Sequence, residues 1–348
     1  MAESTLPSDS SGSSKAPTPQ VESPLEANEA TGGSRPTAQR SWLTLRTIAL
    51  APLALILLVL AYYVLGMIWL HRIDDDIEFG QPSSAPEGAS VTVALAADLI
   101  EREAVSNRWL SNDPVFMPGY LLDNAPNFQQ GMLTALFRFT SELRDEIART
   151  RGSSSEDPDA KEAAGFLSYS PFVWIYNPDV SWWTPTAPSE KQYEQGMIAL
   201  RRYNDRLANG EARFEARADN LQTLIDRVTS DIGGVSASIS RHIEEHSTNF
   251  LDFQADNLFY ANKGRLYAYY LLMRAMREDF ADVIAERSLG NAWLLTLKSL
   301  EQAATLQPWV VTNGSPEAQF RPSHLSAQGF YLLRARTQLK EISNILLK

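Results

Sequence analysis

Residues Thr47 to Leu70, TIALAPLALILLVLAYYVLGMIWL, form one uninterrupted apolar run without a charge. A helix of about 24 residues at ~1.5 Å each is ~36 Å long, enough to cross a bilayer with some tilt. A cleaved signal peptide has a shorter apolar core followed by a small-x-small cleavage site. Here the run ends in Met67-Ile68-Trp69-Leu70-His71-Arg72 and follows a long polar segment, so the sequence predicts a retained anchor over 42–70. Trp42 and Trp69 sit near its ends, where indole rings favour the headgroup layer. Pro52 falls in the first turns, where its missing N–H costs least.

Flanking charges set the direction of the span. Arg35, Arg40 and Arg46 precede it, and Arg72 and Asp74-Asp75-Asp76 follow it. The positive-inside rule then predicts a cytoplasmic N-terminus and an exported C-terminal part, which in a bacterium means an inner-membrane protein facing the periplasm. The chain has no cysteine, so an oxidising compartment poses no thiol problem, and disulfides and thiolate metal sites are excluded. A net charge of −11 argues against a nucleic-acid partner, which requires a basic footprint. The bilayer is the first partner the sequence predicts.

Composition divides the rest. Residues 1–41 are rich in Ser, Pro, Thr, Gly and Ala, too polar to offset chain entropy by burial, and read as a disordered cytoplasmic tail. Residues 71–88 read as a turn-rich linker around Gln81-Pro82-Ser83-Ser84-Ala85-Pro86. Residues 89–348 read as an exported helical domain. The expected fold class is all-α: a transmembrane helix followed by an elongated bundle of long heptad-patterned helices.

The most regular segment opens at Ser189-Glu190-Lys191-Gln192, which has the form of a capping box. A three-four alternation then runs from Tyr193 through Met197, Leu200, Asn204, Leu207, Glu211 and Phe214, and on through Leu221, Ile225, Val228 and Ile232 to His246. Unbroken, it would be about 54 residues or ~80 Å of helix. Asn209-Gly210 and Gly233-Gly234 are the two places where it can break. Phe259, Leu266, Met273 and Phe280 are spaced by seven, as are Leu325, Leu332, Leu339 and Leu346. Shorter helices are expected near 90–111, 124–150, 158–168 and 289–306, the third capped by Asp157-Pro158.

Three features invite a chemical reading. His242-Ile243-Glu244-Glu245-His246 matches the inverted zinc-peptidase pattern: two imidazoles on one helix face for Zn²⁺ and Glu245 as base. No third ligand is identifiable, and both histidines fall where the helical seam continues, which packing or helix-end capping explains. Trp182 and Trp183, in an aromatic, proline-rich connector, could stack on a sugar or a lipid headgroup, or cap the bundle core. Arg149-Thr150-Arg151-Gly152-Ser153-Ser154-Ser155 could hold a phosphate or carboxylate, or end a helix with favourable charge. Asn204 is a polar interruption of the kind that fixes register in a helical seam and is a candidate interaction residue. No P-loop, dinucleotide fingerprint or serine-hydrolase elbow is present, and no cofactor is expected.

Leu122-Asp123-Asn124-Ala125-Pro126-Asn127-Phe128-Gln129, the Arg149–Asp157 segment and YNDRLANGEARFEARADNL from Tyr203 to Leu221 resemble a family of uncharacterised single-pass inner-membrane proteins of gammaproteobacteria, a domain of unknown function. The resemblance spans roughly 90–348. It implies location and helical character and carries no activity. The preferred reading is a non-enzymatic envelope protein that contacts other envelope proteins or itself. The alternative is an envelope hydrolase, working through His242, Glu245 and His246 or through the tryptophan loop.

Overall fold

The computed structural model describes residues 38–149, 156–176, 181, 183–246, 252–308, 310–314 and 322–348, with side chains from residue 50 onward. Among them are ten α-helices and no β-strand, only an isolated bridge between Asn313 and Ser323. The chain divides into two compact units, Met1–Ile56 and Leu57–Lys348. Helix α1, Ala38–Leu70, begins earlier than the apolar run, so residues 38–41 of the expected tail are helical; residues 1–37 lie outside the described residues. Its Leu50–Leu70 portion is long and apolar enough to cross a membrane and is almost wholly uncovered.

The second unit is built from α2 (Val91–Ile100), α3 (Asn124–Glu142), α4 (Pro158–Leu167), α5 (Ser189–Ala208), α6 (Ala218–His246), α7 (Phe253–Asp279), α8 (Ala281–Glu286), α9 (Gly290–Ala304) and α10 (His324–Leu346). One wider helical turn extends α2 to Ser106 and another extends α3 to Ile147. The seven-spaced residues of α7 and α10 are all buried. The main pairings are α3 with α7, α6 with α10, α9 with α10, and α4 with α5. Asp157 caps α4 as expected, accepting from the N–H groups of Asp159 and Ala160, with Pro158 at the first helical position.

The long seam breaks at the first of its two weak points. Gly210 adopts φ +73°, a left-handed backbone in which glycine meets no steric penalty. Glu211 N–H then donates to Arg206 O at 2.8 Å and Gly210 N–H to Leu207 O at 3.0 Å, the paired bonds of a Schellman stop. Glu211 and Phe214, expected on the seam, therefore lie in the connection between α5 and α6. Helix α6 runs straight through Gly233-Gly234. The capping box also fails to form. Proline at 188 precedes the helix, and the Ser189 hydroxyl instead accepts from Val173 N–H at 3.0 Å and donates to Ser170 O at 2.8 Å, stitching the connector to α5.

Glycine decides how closely the central pair can pack. A Cβ on Gly131 of α3 would overlap the Ala261 carbonyl of α7, and one on Gly264 would overlap the Phe128 carbonyl of α3. The two backbones touch at reciprocal glycines. Around this contact Phe128, Met132, Phe259, Leu266 and Tyr267 are buried.

Residues 71–88, read from sequence as a linker, are bound to the helices as a strap. Ile73, Ile77 and Phe79 pack on the core. Lys263 of α7, 2% exposed, pairs with Asp75 at 2.7 Å and donates to Leu306 O at 2.7 Å. Burial pulls its ammonium below the ordinary lysine range, against the opposing pull of Asp75. Buried Arg102 lies 4.3 Å from the Phe79 ring centre and donates to Asp74 O and to the Tyr267 hydroxyl. Tyr267 in turn donates to Asp76 O at 2.6 Å, and Arg274 to the carbonyls of Ile77 and Phe79.

Two stability tests follow from this geometry. Gly264→Ala is expected to cost at least about 2 kcal/mol in urea unfolding, because neither backbone can yield cheaply. Gly234→Ala, which meets open space, is expected to gain about 0.5–1 kcal/mol. Asp75→Ala is expected to cost about 3 kcal/mol by stranding a buried ammonium, and adding Lys263→Met is expected to recover part of that loss.

Candidate functional site

The residues singled out from sequence are far from equally available. Asn204, on α5, is 4% exposed and uses both amide atoms on one peptide unit. Its Oδ1 accepts from Ser90 N–H at 2.9 Å and its Nδ2 donates to Ser90 O at 3.0 Å. The Asp279 carboxylate, at the end of α7, accepts from the N–H groups of Val91 and Thr92, each at 2.9 Å, and from the Ser90 hydroxyl at 2.7 Å. These groups answer the orphan donors at the start of α2. Asn204 fixes register inside the fold and offers nothing to an outside partner.

The two histidines close the last turn of α6. Their rings stack at 4.5 Å, and His242 Nε2 lies 2.8 Å from Asp252 Oδ2. Asp252 also caps α7 by accepting from Ala255 N–H at 3.0 Å and takes a bond from Asn313 Nδ2 at 3.0 Å. His246 Nδ1 sits 3.3 Å from His242 O, and Glu245 points to solvent. Among the described residues no group of three or more His, Asp or Glu side chains is arranged to hold a metal. The geometry is that of a joint tying α6, α7 and the 311–313 segment together.

Trp183 is 92% exposed, so its ring caps nothing in the core; Trp182 lies outside the described residues. Of the 149–155 feature only Arg149 is described, 3.7 Å from Glu156; the others lie outside the described residues. The arginines flanking the seam join helices. Arg201 of α5 binds Asp98 and Glu101, while Arg202 and Arg206 bind Asp159 of α4.

A cleft of about 380 Å³, which sequence reading did not anticipate, opens between the turn after α2, the aromatic connector and the start of α5. Arg108 turns the chain there with φ +64°, a strained position for a residue with a side chain. Gln129 of α3, buried, holds that turn: its Nε2 donates to Arg108 O at 2.9 Å and its Oε1 accepts from Leu110 N–H at 3.1 Å. Arg108 then donates to Asp113 at 2.7 Å. Asn112 Nδ2 bridges Val173 O at 2.8 Å and Glu190 Oε2 at 2.7 Å. Trp174 and buried Trp109 line the wall, and Lys191 pairs with Glu194 at 2.6 Å.

Burial pushes the Asp113 carboxyl above the usual range, against Arg108 and helped by nearby Glu190. A raised carboxyl beside a second one is an arrangement that acid–base chemistry exploits. Asp113, however, is turned inward. Its side chain is 3% exposed, one oxygen faces Arg108, and the other lies against the Gly119 backbone so closely that a Cβ there would clash. Its work is to hold the loop 114–121.

That loop and the connector beside it carry a cluster of exposed aromatic and apolar side chains. Val115, Phe116, Tyr120 and Leu121 stay more than half exposed, and the Phe116 ring lies 5.5 Å edge-on from Trp174. A signal for it exists in Pro114–Leu122, PVFMPGYLL, nine residues without a charge. The run is too short to span a membrane and lacks any helical or strand period, so periodicity alone passes over it.

Asp252 yields a pH test. Burial acts to raise its carboxyl, but Asn313 and His242 outweigh that and hold it below its ordinary 3.8. The resulting stabilisation is complete above that ordinary value and is lost as pH falls through the lower folded one. Asp252→Ala is therefore expected to cost about 2 kcal/mol at pH 7, with the gap to the unaltered protein closing below pH ~4 in acid-dependent unfolding.

A family model described as an uncharacterized protein conserved in bacteria (DUF2333) matches residues 42–252. The match begins in α1, takes in the strap, the cleft and the histidine pair, and stops at the residue that caps α7. No curated protein and no solved structure matches the chain significantly.

Proposed function

The chain belongs to the DUF2333 family of bacterial proteins, and from that premise we propose that it is a membrane-anchored envelope protein that works by binding other envelope proteins or a second copy of itself. One observation carries this reading. An uncovered apolar helix leads without a loose tether into a strap whose carboxylates and carbonyls are the partners of buried Lys263 and Arg102 and of half-buried Arg274. The Leu57–Leu70 part of the apolar helix and the helical domain belong to one compact unit, which supports a protein that is retained in the membrane and presents a domain beside it. The positive-inside bias supports a periplasmic location for that domain.

Binding is favoured over catalysis because the groups suited to chemistry are already committed. Asp113 holds a loop, His242 pairs with Asp252, and Asn204 grips a peptide. The cleft keeps two indoles and mixed charge at its walls, a lining suited to recognition.

The test is fractionation and topology of the full-length protein in bacterial cells. The expected result is a full-length chain that resists carbonate extraction and whose helical domain is cut by protease only once the outer membrane is opened. A shortened chain free in the periplasm, or a domain protected until the inner membrane is breached, would overturn the reading.

A further inference from the structure

The exposed face around residues 114–121 lies against the apolar helix itself. Tyr63 Oη donates to Val115 O at 2.6 Å and Tyr62 Oη to Phe116 O at 3.3 Å. Gly66 faces Pro118 so closely that a Cβ would clash with its ring. Tyr63 lies seven residues before Leu70, the last residue of the apolar helix. At ~1.5 Å per residue the loop therefore reaches back about 10 Å along that helix, past its end.

A water-exposed loop would not carry this chemistry at that depth. Pro114–Leu122 has no charged residue, and Val115, Phe116, Tyr120 and Leu121 point outward. Part of its backbone is served internally: Met117 N–H donates to Pro114 O, Tyr120 N–H to Met117 O, and Leu122 N–H to Gly119 O. The two tyrosine hydroxyls take the carbonyls of Val115 and Phe116. Non-helical backbone tolerates an apolar surrounding only when its polar groups find such partners. Aromatic side chains concentrate where hydrocarbon meets headgroups, and apolar faces of interfacial elements sink about 5–10 Å into that boundary.

We propose that the 114–121 loop, backed by Trp174, is a lipid-seating surface that sinks into the outer face of the bilayer alongside the chain's own span. This rests on the retained-span reading above. The occupant is lipid because the loop is bonded to the helix that enters it, at a depth that leaves the loop's outer side chains no other solvent. The Asp113–Arg108 pair and Gly119 hold the loop in that pose, and the cleft that Arg108 and Asp113 line opens next to it. The domain thus rests on the membrane by two elements, one spanning and one dipping.

The absence of cysteine makes the test direct. Single variants Val115→Cys, Tyr120→Cys and Leu121→Cys, with Leu58→Cys in the span and Leu333→Cys on α10 as references, are made in the full chain. Each is spin-labelled and reconstituted in phosphatidylethanolamine–phosphatidylglycerol vesicles. Collision with oxygen, which partitions into lipid, is compared with collision with a water-soluble nickel chelate. The expected oxygen-to-nickel ratio at 115, 120 and 121 approaches that at 58 and is several-fold above that at 333. Water-like ratios at the three loop sites with a lipid-like ratio at 58 would overturn the proposal and leave the anchor standing. Poor access of both probes to the loop would mean that a second copy covers it, and would equally overturn it. A water-like ratio at 58 would bring down the anchor reading as well.

Discussion

Three cations, two of them buried and Arg274 half-buried, define how this protein is put together. Lys263, Arg102 and Arg274 sit on helices of the domain, yet their oxygen partners come largely from residues 74–79, the stretch leaving the apolar helix. A cation out of water is tolerated only with such partners in place, so the helices and the strap stabilise each other or not at all. The aromatic rings of Phe79 and Tyr267 flank Arg102 and exclude water from the junction. The same economy recurs at the start of α2, where Asn204 and Asp279, from two other helices, accept from the N–H groups of Ser90, Val91 and Thr92. Polar side chains that look functional in a linear reading are, in three dimensions, the fasteners of the fold.

Packing follows a second rule, closeness set by the smallest residue. Gly131 and Gly264 let α3 and α7 touch backbone to backbone, and larger apolar side chains close around the contact. Asp231 of α6 adds a polar tie at the same pair, accepting from Tyr269 at 2.8 Å and pairing with Arg138 at 2.8 Å. The pair is held by shape in the middle and by charge at the side.

Much of the helical pattern was legible in the sequence. Seven-residue spacing marked the buried faces of α7 and α10, Asp157-Pro158 marked the start of α4, and the apolar run marked α1. What periodicity could not rank was the competition between two glycine sites on the long seam. A residue pair marks a weak point, but only hydrogen bonds around Gly210 decide that the helix stops there. The strap was misjudged for a different reason. Turn-rich composition reports local flexibility, whereas its order comes from partners nearly two hundred residues away, such as Tyr267, 191 positions beyond Asp76. The cleft and the loop 114–121 were hidden likewise: their positioning residue, Gln129, is an ordinary polar side chain in sequence and a clamp only once α3 is in place.

The strap also sets an order of events for a chain synthesised from its N-terminal end. Residues 74–79 emerge early, but Arg274, which grips Ile77 from 197 positions later, emerges only after most of the chain. Closing so long a loop is slow, and it can begin only when most of the chain has been made. The helices that emerge early therefore lack these partners until late in synthesis. One of the last contacts to form is then also the one that locks the helical domain to its apolar helix.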